Sequence, residues 1–355
     1  MAFTLDDDSA LLRPAIIGDV STANRLFMAP LTRSRAEPDG TPSELAALYY
    51  AQRASAGLIV SEATAVSAAA NGAYANTPGI YTDRHQRRWA DIASAVHTAG
   101  GRMFVQLWHV GRMGHPEISG AETVAPSAVA ATLTAHTPMG EKSLPVPRAL
   151  RIDEIPAIVA DFRAAARRAV DAGMDGVEIH SANGYLLHQF LSDVTNRRDD
   201  IYGGSPQNRA RFTAEVVEAV ADEIGAGRVG LRISPGNSAG DMLPRTRGAT
   251  QHEVDDVSAY EALLNRTAPL PLAYLHLSID PTQPAFAVVR TLWERTLVLN
   301  SLGGVGTNFC ELENLVDWAV VGAVAVGRPY LANPDLIDRL RRGAELNEPD
   351  ALDAV

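Results

Sequence analysis

Cysteine is all but missing: Cys310 is the only one in 355 residues. No intrachain disulfide can form and no multi-cysteine metal site can be assembled, so the chain reads as reduced and intracellular. Positive charge is also short, with 31 Lys and Arg against 42 Asp and Glu and a formal charge of -11. That balance argues against a nucleic-acid partner, because phosphate binding needs concentrated basic residues. No apolar run reaches membrane-spanning length. The start carries Asp6, Asp7 and Asp8 where a secretory leader would need positive charge followed by an apolar block. The expected location is the cytoplasm, with neither membrane nor nucleic acid as partner.

What is present is an ordinary globular composition, 46% apolar and 21% charged, at a length that fits one barrel-type domain. Apolar strand-like runs alternate with amphipathic helical stretches, the pattern of a parallel sheet with helices outside it. The strands are expected at Arg25 to Met28, Leu58 to Ser61, Met103 to Leu107, Gly176 to His180, Val229 to Ile233, Tyr274 to Leu277, Thr296 to Asn300 and Ala323 to Val326. Helices follow at about Ser43 to Ala56, Arg84 to Ala99, Asp153 to Ala172, Asn208 to Ile224, Val254 to Asn265, Ala285 to Trp293, Asn308 to Trp318 and Asp335 to Arg341. Asp153-Glu154-Ile155-Pro156 opens one of them, and Gly57, Gly100 and Gly173 close three others. Eight such β/α units imply an α/β fold, the (β/α)8 TIM barrel. A doubly wound open sheet is disfavoured, since no Gly-x-Gly-x-x-Gly turn follows the first strand. Residues 110–151 are too long for a simple βα loop, and long loops in compact domains tend to be functional. They are expected to form an excursion, with a hairpin, capping the C-terminal mouth between strand 3 and helix 3. Pro235 to Gln251 is a weaker candidate for a mobile cover.

The segment Gly176-Val177-Glu178-Ile179-His180-Ser181-Ala182-Asn183-Gly184-Tyr185 is a strand that ends in three hydrogen-bonding side chains. The His180 imidazole and Asn183 amide can both donate to one oxygen, and the Tyr185 phenol can deliver a proton nearby. This is equipment for polarising a carbonyl-like group and protonating the carbon beside it. Strand parity puts Gln106 with Phe104 and Trp108, His180 with Glu178, and Arg232 with Gly230, each polar residue near its strand's end, where barrel active sites lie. Gln106 suits a core or a ligand role equally, whereas a buried Arg232 without a partner is costly, so it reads as ligand-binding. Other constellations fail. His109 and His115 lack a carboxylate or Cys at metal-ligand spacing, and Ser181 sits in no Gly-x-Ser-x-Gly elbow. No metal is expected, and His85, His97, His136 and His252 read as surface residues.

The run from Gly176 through Leu186-Leu187-His188-Gln189-Phe190-Leu191-Ser192 to Asn196-Arg197-Arg198-Asp199-Asp200-Ile201-Tyr202-Gly203-Gly204-Ser205 resembles the Old Yellow Enzyme family of flavin-dependent ene-reductases. So do Leu26-Phe27-Met28-Ala29-Pro30-Leu31-Thr32, Ser61-Glu62-Ala63-Thr64, Val105-Gln106-Leu107-Trp108-His109 and Gly327-Arg328-Pro329, in order along most of the chain. The resemblance implies a non-covalently bound FMN, NADPH or NADH as reductant, and reduction of electron-poor C=C bonds. It carries over Ala29, Pro30, Leu31, Thr32, Ala63, Gln106 and His180 as flavin contacts and Arg232 beside flavin N1. The phosphate falls to Gly303, Gly304 or Val305 on the loop after strand seven, and to Gly327 and Arg328 after strand eight. Asn300-Ser301-Leu302 makes the first of those loops an imperfect match. His180 and Asn183 would hold the substrate oxygen while Tyr185 gives the proton. Tyr74 and Trp108 either line the substrate cavity or pack as core. The family's usual Gly- and Tyr-bearing segment after the last helix has no counterpart before Val355, which bears on substrate range and flavin retention. A flavin-dependent isomerase, or a flavin-binding protein without turnover, is the alternative.

Overall fold

The computed structural model describes residues 4–6, 8–237, 239–240, 242, 257–301 and 308–348. Eight parallel strands close into a barrel: β1 (Leu26–Met28), β2 (Ile59–Ala65), β3 (Met103–Trp108), β4 (Gly176–Ser181), β5 (Val229–Ile233), β6 (Tyr274–Ile279), β7 (Leu297–Ser301) and β8 (Ala323–Val326). Each pairs with its sequence neighbours, and β8 closes on β1. These are short, largely β-branched or aliphatic runs whose residues are buried on both faces, one toward the barrel interior and one toward the helices.

Helices fill the outside, among them Leu45–Ala51, Asp83–Thr98, Ile155–Asp171, Pro206–Ile224 and Ser258–Thr267. Two of these starts, those at Asp83 and Pro206, are capped by local chemistry. Thr82 accepts from the His85 N–H and Ser205 from the Asn208 N–H, replacing partners the first turn lacks. Gly100 and Gly173 follow their helices with φ of 85° and 90°, as stop signals require. Gly57 does not act as one: the first helix ends at Ala51. A Cβ on Gly57 would instead meet the Asn24 carbonyl oxygen at 2.1 Å, so the residue is there for close approach. No helix among the described residues is long and apolar enough to cross a membrane.

Two departures from simple β/α rhythm shape the site. Strand β2 runs on to Ala65 because its register with β3 shifts between Val60 and Ala63; the bulge turns Glu62 toward helix Leu45–Ala51 and sets Ala63 opposite Gln106. Residues 110–151 form the expected excursion, with an antiparallel hairpin of Thr134–Thr137 and Gly140–Ser143 standing on a parallel pair, Val124–Ala125 with Arg148–Ala149. At the opposite end, the hairpin Ala15–Ile17 with Val20–Thr22 lies under the barrel, tied by the Asp19 N–H to the Gly227 carbonyl at 2.9 Å.

Candidate active site

The interior of β4 to β7 carries polar groups in register. Glu178 pairs with Gln106 on one side and Gly230 on the other, His180 with Arg232, Arg232 with His276, and Ser278 with Asn300. Gly230 must be glycine, since a Cβ would lie 2.3 Å from the Tyr274 ring. That ring crosses the gap and its hydroxyl donates to Glu178 on the strand beyond, at 3.0 Å.

Arg232 lies above this layer. Its Nη2 donates to Ser278 Oγ at 3.2 Å and Asn300 Oδ1 at 2.8 Å, while Nε and Nη1 are buried without a partner. A buried guanidinium with unmet donors is costly, which marks the position of an acceptor on a ligand. Gln106 gives its Nε2 to Glu178 Oε1 at 2.7 Å, which turns its Oε1, an acceptor, the other way. An acceptor beside a charged donor set suits the ring NH and carbonyls of a flavin, so the residues fit FMN.

The three side chains at the end of β4 are fixed by different means. His180 Nδ1 accepts from the Ala182 N–H at 3.2 Å, which leaves the ring proton on Nε2. Burial, reinforced by the Arg232 charge, lowers its pKa to about 3, so the ring is a neutral donor. Asn183 adopts a φ of 54°, held by its N–H to Ser234 Oγ at 2.9 Å. Asn237 Nδ2 donates to its Oδ1 at 3.1 Å, which leaves its own Nδ2 as the free end. Tyr185 stands edge-on to Trp108 and His180, with centroids 4.7 and 4.9 Å away. Burial, then the neighbouring Tyr74 hydroxyl, raise its phenol well above the ordinary value of 10. It stays protonated.

The turn carrying these groups is clamped from below. Both polar atoms of the Gly184 peptide are taken by the next helix, Leu186–Leu191: its N–H by His188 Nδ1 at 3.0 Å and its carbonyl by Gln189 Nε2 at 2.7 Å. The other face of His188 meets the Tyr260 hydroxyl at 2.8 Å. Trp108 is fully buried and Tyr74, stacked on it at 6.5 Å, is 37% exposed. Trp108 thus backs the site and Tyr74 faces outward from it.

The remaining sequence-flagged residues fall around this centre. Ala63 is buried beside Gln106. Ala29 to Thr32 leave the end of β1, with Leu31 against Gly327. Arg328 is exposed just after β8. Gly303, Gly304 and Val305 lie outside the described residues, as does much of Pro235 to Gln251. His85 is not a surface residue: it is 1% exposed, with Nε2 on the Asp39 carbonyl at 3.0 Å and its ring edge-on to Tyr81. His252 is outside the described residues, and His136 is exposed. Sequence reasoning passed over Glu178 as a functional residue and missed Tyr274, His276 and Asn300. The same alternation that flagged Arg232 recurs in β6 and β7 and would have found them. Ser234 and Asn237 act through tertiary contacts that carry no local signal, whereas His188 binds the Gly184 N–H only four residues away.

The sequence pattern of the NADH:flavin oxidoreductase / NADH oxidase family matches residues 10–347. A chanoclavine-I aldehyde reductase of Penicillium roqueforti is 40% identical over 349 residues, covering 94% of this chain and 89% of that protein. Among solved structures, the Old Yellow Enzyme homologue from Zymomonas mobilis superposes with a TM-score of 0.89 at 39% identity, over 97% of this chain and 95% of its own. Morphinone reductase in complex with tetrahydroNAD does so with 0.85 at 43% identity, over 97% and 93%.

Proposed function

Because the chain belongs to the Old Yellow Enzyme family of FMN-dependent oxidoreductases, we propose that it reduces the activated C=C bond of α,β-unsaturated carbonyl or nitro compounds at the expense of NAD(P)H. NADPH is the favoured reductant. The observation that carries this reading is the fixed polarity of the anchoring pair. The Ala182 N–H and the Asn237 amide each occupy an acceptor, so His180 Nε2–H and the Asn183 Nδ2–H2 group are left as two donors for one oxygen.

When bound, FMN supplies hydride to the alkene carbon far from that oxygen. Arg232, with Nε and Nη1 unpartnered, would offer these protons to the ring's acceptors, and Gln106 Oε1, turned away from Glu178, would accept from the ring NH. Ala63 and the Ala29, Pro30, Leu31 and Thr32 segment would flank the ring, and Gly327 and Arg328, with Gly303, Gly304 or Val305 of the loop after β7, would hold the phosphate. His180 and Asn183 polarise the substrate oxygen, which makes the far carbon electrophilic. Tyr185, held protonated by burial, gives its proton to the adjacent carbon. Tyr74 borders the entrance in front of Trp108, and the 110–151 excursion caps the mouth.

Titration with a para-substituted phenol tests the anchor, because a phenolate held by this pair over the cofactor gives a long-wavelength charge-transfer band. Hydrogen bonds to a charged oxygen contribute about 1.5 to 3 kcal/mol each, so replacing both His180 and Asn183 by Ala should weaken phenol binding by a factor on the order of 10² or more. Undiminished binding refutes the assignment.

A further inference from the structure

One charged group in the barrel interior takes no part in the chemistry above. Glu178 lies two residues before His180 on the same face of β4 and is fully buried. Its Oε1 accepts from Gln106 Nε2 at 2.7 Å, and its Oε2 accepts from the Tyr274 hydroxyl at 3.0 Å and from His276 Nδ1 at 2.8 Å. Burial alone would protonate such a carboxyl. The charge and hydrogen bond of His276, then the Arg232 charge and the Gln106 amide, outweigh burial and keep it ionised.

Glu178 and Arg232 sit in diagonal register on adjacent strands, on one face. Arg232 forms no ion pair among the described residues and leans on the neutral oxygens of Ser278 and Asn300. Glu178 is the only carboxylate on the interior faces of β4 to β7. It therefore supplies the opposing charge. A lone guanidinium beside the cofactor favours the more electron-rich, reduced form, and a carboxylate a few ångströms behind subtracts from that effect.

We propose that Glu178 is a positioning residue that sets the reduction potential of the bound FMN, by turning the Gln106 carbonyl end toward the cofactor and by moderating the field of Arg232. The proposal rests on the reading that Gln106 and Arg232 face the flavin ring. Two substitutions should move the potential in opposite directions. Glu178→Gln removes the negative charge but keeps an oxygen for the Gln106 amide, so the potential rises and FMN affinity changes by less than roughly ten-fold. Tyr274→Phe strips one donor from the carboxylate and leaves more of its charge bare, so the potential falls.

The test is a reductive titration of each holoenzyme against a reference dye at one pH, with FMN dissociation constants measured alongside. A rise for Glu178→Gln with a fall for Tyr274→Phe supports the proposal. Shifts of one sign, or none, overturn it. Should Glu178→Gln fail to fold, the Tyr274→Phe potential decides alone, a fall supporting the proposal and any other result refuting it. Gln106→Leu and Arg232→Met separate the two levels of the argument. If neither changes FMN affinity or potential, the placement of the ring is wrong; if they do while the Glu178 and Tyr274 variants fail the sign test, only the role of Glu178 is wrong.

Discussion

Asn237 reaches from the segment after β5 to the turn after β4 and donates through Nδ2 to Asn183 Oδ1 at 3.1 Å. The contact decides which end of the Asn183 amide is free. Replacing Asn237 by Ala lets that amide rotate, and losing a neutral hydrogen bond of about 0.5 to 1.5 kcal/mol should weaken phenol binding by roughly 2- to 12-fold. Asn237→Asp should cost more, because a carboxylate would draw the Asn183 NH2 group inward. Equal phenol affinity in parent and both variants would show that Asn183 is oriented by something else.

Tyr185→Phe separates the halves of the catalytic cycle. With Tyr185 as the proposed proton donor, its proton is needed only after hydride reaches the unsaturated substrate, so stopped-flow traces should show flavin reduction by NADPH nearly intact. Reoxidation by a 2-cyclohexenone-type substrate should slow by about 10² to 10⁴. Nitroalkenes should suffer less, since their adduct is already a stabilised anion. Equal slowing of both half-reactions would reassign the phenol to packing against Trp108 and His180.

Gly230→Ala should destabilise the fold and raise the potential-setting network's disorder together. The added Cβ would lie 2.3 Å from the Tyr274 ring, and overpacking of this kind costs about 1 to 3 kcal/mol. In thermal or denaturant unfolding, Gly230→Ala combined with Tyr274→Leu should be less destabilised than the two single changes add up to, since the smaller side chain makes room. Strict additivity would mean the ring does not need the glycine.

Glu62 predicts a pH effect on stability. It is buried between helix Leu45–Ala51 and the loop after β1, accepting from the Tyr50 hydroxyl at 3.3 Å and the Arg33 N–H at 3.1 Å. Burial wins over these donors and raises its pKa from 4.5 to about 7. The folded state thus binds a proton that the unfolded state has released between those values, so this contribution is full below 4.5 and is lost as pH rises through about 7. Its size is on the order of 3 kcal/mol. Denaturant midpoints of Glu62→Gln should vary less with pH across that window than those of the parent; an identical pH profile would place the titration elsewhere.

The barrel was legible because apolar runs of strand length alternate with amphipathic helical stretches. Strands β5 and β8 fall at their expected bounds. Strand β2 ran past expectation because a bulge has no signature in alternation: Glu62 and Ala63 look like successive residues, and only the pairing with Gln106 shows that one turns out and the other in. At the site, His180, Asn183 and Tyr185 were readable because they stand together in six residues. The contacts that orient Asn183 come from Ser234 and Asn237, more than fifty positions away in sequence, where nothing local distinguishes them from loop polarity.

The Tyr274 hydroxyl that spans Gly230 to reach Glu178 ties three successive strands into one inherited unit. That bears on any chimaera in which blocks of β/α units are exchanged between two parents at loop crossovers. A crossover between β4 and β5, or between β5 and β6, parts the carboxylate, the gap and the phenol from one another. A parent contributing alanine for the gap would collide with the phenol, and one contributing phenylalanine would leave the carboxylate short of a donor. Chimaeras that keep positions 178 through 274 from one parent avoid both faults, and extending the block to 106 through 276 also keeps the Gln106 and His276 bonds to the carboxylate.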